Sequence, residues 1–118
     1  MIGININDSA QDYTGQILCG AKTVETRRTN SLRPYIGRRV GIIRTGVGPA
    51  MLVGFATIGQ PVRYRDNDEF AADRHRHLVA AGSPHDCGAD GKYGYPLTGV
   101  ESITPVPVTS HGIVARQI

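Results

Sequence analysis

The chain opens with apolar residues at every second position. Isoleucines at positions 2, 4 and 6 alternate with Gly3 and Asn5, which predicts a strand with one buried face. Asp8 or Ser9 then offers an N-cap for a short helix, and Gly20 is suited to end that helix. The predicted helix carries its apolar face at Tyr13, Ile17 and Leu18.

Two nearly continuous apolar runs follow a further predicted strand at residues 22–27. The runs cover residues 40–44 and 51–58, and the segment 45–49 between them is rich in glycine and proline. Short apolar runs joined by such a turn are typical of an antiparallel hairpin that is buried on both faces.

The second half of the chain combines a predicted helix with an irregular stretch and short strands. Asp66 and Glu69 form a capping box, and the spacing after them predicts a helix that runs to Gly82. Residues 83–94 contain one proline and three glycines, which predicts a loop. Short strands are then predicted near residues 100–104, 106–108 and 113–118. These elements predict one α+β domain over residues 1–118, a small and mostly antiparallel β-barrel with two short covering helices.

Basic residues concentrate in the segment 22–44, where seven lysines and arginines stand against one acid, Glu25. The acids gather instead between residues 66 and 73. This asymmetry indicates an anionic partner on one side of the fold, such as a nucleic acid or a nucleotide. A solvated surface in an arginine-rich chain explains the cluster equally well, since the 13 basic residues are eleven arginines and two lysines.

Several absences narrow the class of protein. No run approaches the roughly 18 apolar residues that a membrane-spanning helix needs, and the first ten residues have no features of a signal peptide. Cys19 and Cys87 lie too far apart in sequence to suggest a disulfide framework. We therefore expect a cytoplasmic protein that does not bind membranes, and we predict no cofactor.

Four potential metal ligands occur close together in the sequence: His75, His77, His85 and Cys87. His75 and His77 lie in the predicted helix, where residues two apart diverge by about 200° and do not share one ion. Only His85 and Cys87 remain able to chelate from the loop, and two ligands are too few for a zinc site. The sequence therefore predicts no metal.

Residues 20–27 read GAKTVETR and form the most distinctive charged pattern of the chain. On a strand Thr23, Glu25 and Arg27 share a face, so a carboxylate and a guanidinium would bracket one polar ligand, such as a base edge or a phosphate. A structural ion pair is the alternative. Lys22 reaches the carboxylate only if it lies in a turn before the strand begins.

This segment resembles the G-x-K-x-x-E-x-R signature of the ASCH domain family. Residues 35–43 are similar to the family's second strand and residues 93–108 to its closing strands, although Tyr95 stands where the family usually has tryptophan. The resemblance implies a PUA-like β-barrel with a cleft floored by the signature strand. It also implies binding of RNA or of modified bases, and some members are similar to nucleoside amidohydrolases or ribonucleases.

The resemblance and the charge pattern together predict a basic cleft that binds RNA, a nucleoside or a nucleotide, with single-stranded nucleic acid favoured over duplex. The tyrosines would stack on a base, although a tyrosine pair is more often half-buried core. The predicted ligand-binding residues are Lys22, Thr23, Glu25, Arg27, Arg28, Arg38, Tyr93 and Tyr95.

Two other functions stay open. A small hydrolase, either a nucleoside amidohydrolase or a ribonuclease, would use the same cleft with Lys22 and Glu25 as catalytic residues. The amidohydrolase-like relatives have a threonine nucleophile three residues after the lysine, where this chain has Glu25. Glu25 would then act as a general base on water, and Lys22 would stabilise the oxyanion. The third alternative is an adaptor domain that binds a protein partner.

Overall fold

Seven strands and three short helices make up the regular structure of the chain, which the computed structural model describes from Met1 to Ile118. None of the helices is long and apolar enough to cross a membrane. The strands are β1 Ile2–Asn7, β2 Val24–Arg27, β3 Arg39–Thr45, β4 Met51–Ile58, β5 Val62–Tyr64, β6 Lys92–Pro107 and β7 Ala115–Gln117. The helices are α1 Tyr13–Leu18, α2 Asn67–Ala72 and α3 Arg74–His77, with a short 3-10 helix at Arg33–Tyr35.

All seven strands belong to one sheet with the order β2-β6-β4-β3-β1-β7, and β5 pairs with β6 as a branch. The pairs are antiparallel except for β1 with β3, which run parallel. The sheet curls strongly into a half-barrel accompanied by the helices. The predicted α+β class and the mostly antiparallel barrel are therefore confirmed, with one parallel pair and a third helix that the pattern did not predict.

The core lies inside the curl of the sheet. Alternate residues of β1 point into it, with Ile4 at 0% and Ile6 at 2% exposure, as the period of two predicts. Helices α1 and α2 contribute Ile17 and Phe70, which are both fully buried. The curl leaves an open side between β1 and β2, and the polar residues of the candidate site converge there.

Helix α1 begins later than predicted. Its N-cap is Asp12, whose carboxylate accepts a hydrogen bond from the Gly15 amide at 3.1 Å. The predicted caps, Asp8 and Ser9, lie outside the helix. Asp8 instead accepts from the amide of buried Thr14 at 3.1 Å and from its hydroxyl. The Asp8 carboxylate therefore connects the loop after β1 to α1 but is not the N-cap of the helix.

The single helix predicted over residues 66–82 is wrong in its length. The cap at Asp66 is confirmed, since its carboxylate accepts from the Glu69 amide at 2.9 Å. Asp73 then separates α2 from α3, because its carboxylate accepts from a tyrosine hydroxyl of β5 and from an arginine of α3. Leu78 ends α3 with a left-handed φ of 58°. The Asp73 contact to β5 and the left-handed backbone at Leu78 end the two helices where local spacing predicts that one helix continues.

Strand β6 replaces several predicted elements. It starts at Lys92, inside the stretch predicted as a loop, and runs without a break through two of the strands predicted in the tail. Pro105 and Pro107 fit within it because this end of β6 pairs only with β4, so its other edge needs no amide donors. The beginning of β6 pairs with β2 on one side and β5 on the other, which brings Lys92 beside the signature strand.

Candidate functional site

The open side of the half-barrel holds a cleft of about 730 Å³. Its walls come from β1, β2, the irregular loop 84–91 and the C-terminal segment 112–116. Five basic side chains and three acidic ones line it, so the cleft carries a net positive charge that suits an anionic ligand. The basic residues are Lys22, Arg27, Arg28, Lys92 and Arg116, and the acidic residues are Glu25, Asp86 and Asp90.

Lys22 and Glu25 meet at this cleft, with Lys22 Nζ 3.8 Å from Glu25 Oε1. Strict strand alternation would send them to opposite faces, but β2 begins only at Val24. Lys22 lies in the turn after α1, where Gly20 has a φ of 84° that glycine adopts without strain. The lysine therefore sits before the pleat begins, which is the arrangement that contact with the carboxylate requires.

The Lys22 ammonium group is almost fully buried, because the residue is only 1% exposed. Its Nζ donates a hydrogen bond to the His77 carbonyl at the end of α3 and lies 4.9 Å from the centre of the Tyr13 ring. Desolvation lowers the pKa of Lys22 from 10.5 to about 8, although the charge of Glu25 acts in the opposite direction. A fraction of this amine is therefore neutral near pH 7.5, unlike an ordinary surface lysine.

Glu25 and Arg27 form a close ion pair on β2. Glu25 Oε2 accepts from Arg27 Nε at 3.1 Å and lies 3.0 Å from an Nη atom. The same guanidinium donates to the Asn5 carbonyl of β1 at 2.7 Å. Since β2 and β1 lie near opposite ends of the sheet, Arg27 ties the two sides of the cleft together. Arg27 thus forms the structural ion pair that the sequence analysis gave as the alternative. The other carboxylate oxygen of Glu25, Oε1, faces Lys22.

Of the eight predicted ligand-binding residues, four line the cleft and four do not. Thr23 and Arg38 are exposed and lie outside it. Tyr95 is completely buried in the core, where its hydroxyl donates to an asparagine side chain. Tyr93 packs against Arg63, whose guanidinium carbon is 4.7 Å from the ring centre. The two tyrosines therefore provide no stacking surface within the cleft, because β6 carries one into the core and the other beneath an arginine.

Several residues outside the predicted ligand-binding set also build the cleft. Lys92 is 7% exposed, and its Nζ donates to the His85 carbonyl. The His85 ring packs edge-on against Tyr13, with 5.5 Å between the ring centres. Arg116 on β7 donates from Nε to the Asn5 side chain at 3.0 Å. Pairing between strands that are distant in sequence brings Lys92 and Arg116 to the cleft. Their positive charge was therefore the only feature of the sequence that could have suggested a place in a binding site.

The histidines do not converge on one point. His77 is buried and both ring nitrogens are engaged: Nε2 lies 2.7 Å from the Phe70 carbonyl, and Nδ1 accepts from the Val79 amide at 2.9 Å. The side chain of His75, two residues earlier on α3, is 74% exposed, as helical spacing predicts. No group of three or more histidine, cysteine, aspartate or glutamate side chains is arranged to hold a metal ion.

The fold is that of solved ASCH structures. A crystal structure of ASCH from Zymomonas mobilis matches with a TM-score of 0.73 and 21% identity, covering 91% of this chain and 73% of that one. A serine-to-alanine mutant of the Zymomonas mobilis protein matches with a TM-score of 0.77 and 18% identity, covering 99% and 87% respectively. A tyrosine-to-phenylalanine mutant matches with 0.73 and 21%, covering 91% and 75%. No family model and no curated protein sequence matches the chain.

Proposed function

We propose that this domain, which has the ASCH fold, binds RNA, a nucleoside or a nucleotide in the cleft between β1 and β2. The observation that carries the proposal is the array of buried Lys22 and Glu25 with half-buried Arg27 at a net positive cleft. Buried charges of both signs present donors and an acceptor side by side, and the polar edge of a base needs that mixture.

The dimensions of the cleft support a nucleotide-sized ligand. Its volume of about 730 Å³ falls within the roughly 300–1,000 Å³ that is usual for small-molecule pockets. A base has to leave its stack to enter such a cleft, which favours single-stranded nucleic acid or a free nucleotide over a duplex. Glu25 Oε1 and the Lys22 amine are the groups available to a base, since Oε2 is held by Arg27.

The cations around the cleft differ from those expected from the segment 22–44. Only Lys22, Arg27 and Arg28 of that segment line the cleft. Arg39 instead donates to the Gly99 carbonyl and pairs with an acid of β6 at 2.9 Å. Contacts to phosphate would therefore come from the cleft walls rather than from an extended basic strip.

Binding of a mixed-sequence single-stranded RNA at two salt concentrations tests the proposal. Because phosphate contacts release counterions, we expect affinity to fall at least about tenfold between 50 and 200 mM salt. Glu25→Gln should weaken binding by about 1–3 kcal/mol through a lost charged hydrogen bond, and Arg38→Met, an exposed change outside the cleft, should not. An affinity insensitive to salt and to Glu25→Gln would refute the cleft assignment.

Hydrolysis in the same cleft is a second candidate, favoured by the pKa of Lys22, which burial lowers to about 8, because strongly perturbed pKa values cluster at catalytic sites. In this reaction water would add to an acyl carbon of an N-acylated nucleoside, or to a phosphate of RNA, while Glu25 takes the proton of the water and the protonated form of Lys22 stabilises the oxyanion. The C–N bond of the amide, or a P–O ester bond of the RNA, then breaks, and the proton held by Glu25 passes to the leaving amine or hydroxyl group. Glu25→Gln should then reduce turnover by about 10²–10⁴ with binding largely kept. Absence of turnover of RNA and of acylated nucleosides by the wild type would leave binding alone.

A further inference from the structure

Lys92 carries a buried positive charge that forms no ion pair. The residue is 7% exposed, and no carboxylate oxygen lies within the 4.0 Å of an ion pair. The two carboxylates whose charges act on Lys92 have other partners: Glu25 contacts Arg27 at 3.0 Å, and Asp86 accepts from two backbone amides. An ammonium group has three donors, and that of Lys92 uses one, to the His85 carbonyl.

Thr26 and Arg28 lie close to Lys92 in the cleft. The β2–β6 register pairs Thr26 with Gly94, so Lys92, two residues from Gly94, projects from the same face of the sheet as Thr26. Arg28 follows the last residue of β2, and its charge acts on Lys92. Burial and then the charge of Arg28 lower the pKa of Lys92, against the influence of Glu25. Thr26, Arg28 and Lys92 all line the cleft, and the exposed Arg28 side chain has no hydrogen bond or ion pair of its own.

We propose that Thr26, Arg28 and Lys92 form a phosphate subsite, so that the ligand is a nucleotide or an RNA phosphate rather than a free nucleoside. The inference rests on the proposed function, which places a nucleic-acid component in this cleft. Lys92 and Arg28 repel each other and neither forms an ion pair, and one phosphate group would neutralise both. Arginine supplies a planar fork, lysine a point charge and threonine a hydroxyl donor. A nucleoside has no group that matches this set.

Affinity ratios test the subsite. The four ribonucleosides and their 5′- and 3′-monophosphates are titrated against the wild type, Lys92→Met, Arg28→Met and the control Arg38→Met. In the wild type and the control we expect at least one monophosphate to bind about tenfold tighter than its nucleoside, or more. In Lys92→Met and Arg28→Met the ratio should approach one while nucleoside affinity is kept. Equal affinities in the wild type, or an unchanged ratio in Arg28→Met, would overturn the subsite and leave the proposed function standing.

A second measurement reads the subsite without any nucleoside. The chain contains only two lysines, Lys22 and Lys92, so carbon-13 labelling of lysine gives two side-chain signals that can be assigned with Lys22→Met. Inorganic phosphate should raise the pKa of Lys92, because a bound anion stabilises the charged form, whereas chloride at equal ionic strength should not. A Lys92 pKa that phosphate leaves unmoved refutes the subsite. If phosphate raises it and yet no nucleoside, nucleotide or RNA binds, the proposed function alone is refuted.

Discussion

Replacing Lys22 by methionine should change the pH dependence of stability by an amount that follows from its burial. In the unfolded chain the pKa of this lysine is its ordinary 10.5, and in the folded protein desolvation lowers it to about 8. Between these values the unfolded state binds more protons, so the free energy of unfolding rises with pH. The full difference corresponds to about 3 kcal/mol at about 1.36 kcal/mol per unit of pKa.

Urea denaturation of the wild type and Lys22→Met at pH 7.5 and pH 10 measures this contribution. Groups with shifted pKa values on which Lys22 does not act, such as Tyr64, are present in both proteins and cancel in the comparison. Relative to the variant, the wild type should gain about 2 kcal/mol between the two pH values, because roughly a quarter of the linkage is still to come above pH 10.

Arg38→Met is the matched control, because it removes an exposed cation outside the cleft and should leave the pH dependence unchanged. If Lys22→Met and the wild type differ by the same free energy at both pH values, Lys22 is not desolvated in solution. The lowered pKa of Lys22 would then no longer support hydrolysis in the cleft.

Three further predictions concern stability. Asp12→Ala should destabilise the protein by about 1 kcal/mol, because it removes the carboxylate that accepts from the Gly15 amide; Ser9→Ala, at the cap that the structure does not use, should stay within about 0.5 kcal/mol in the same urea titration. The neutral, buried ring of His77, whose pKa is lowered by desolvation, should cost stability as pH falls below about 6.5; His77→Gln should lose this dependence and the exposed His75→Gln should keep it. Thermal unfolding with and without a chelator should coincide, and a large drop in Tm with chelator would contradict the predicted absence of a metal.

Local periodicity predicted the parts of the fold that short-range physics determines. The alternation in β1 and the apolar hairpin of β3 and β4 reflect burial, which selects apolar side chains position by position. The prediction of one helix over residues 66–82 was wrong because Asp73 and Leu78 contact distant residues: Asp73 accepts from a tyrosine hydroxyl of β5, and the Leu78 carbonyl accepts from Gln11 Nε2 at 2.7 Å. Strand β5 was missed for the same reason, since it consists of three residues that pair only with the start of β6.

The features of the candidate site also divide into those that local sequence predicts and those that depend on contacts between distant segments. The sequence predicted that Lys22 contacts Glu25 if Lys22 lies in a turn before the strand. Such a turn is a local feature of the segment 20–27, so the condition could be stated from the sequence. The position of Tyr95 was not, since alternation along β6 says which residues share a face but not that this face is core. Lys92 reaches the cleft through the register of β2 and β6, and no spacing within either segment predicts that register.

The distribution of the two basic residue types supports the proposed binding site in the cleft. The chain has eleven arginines and two lysines, and both lysines are among its buried residues. Lysine is almost never fully buried without a paired charge, and an apolar side chain of similar volume is often neutral or stabilising at such a site. The one acidic partner of Lys22 is Glu25 at 3.8 Å, and Lys92 has no acidic partner within ion-pair distance. Both amines also line the same cleft. Burying the charges of two lysines in one cleft costs stability. Such a cost is expected where the two charges bind a ligand.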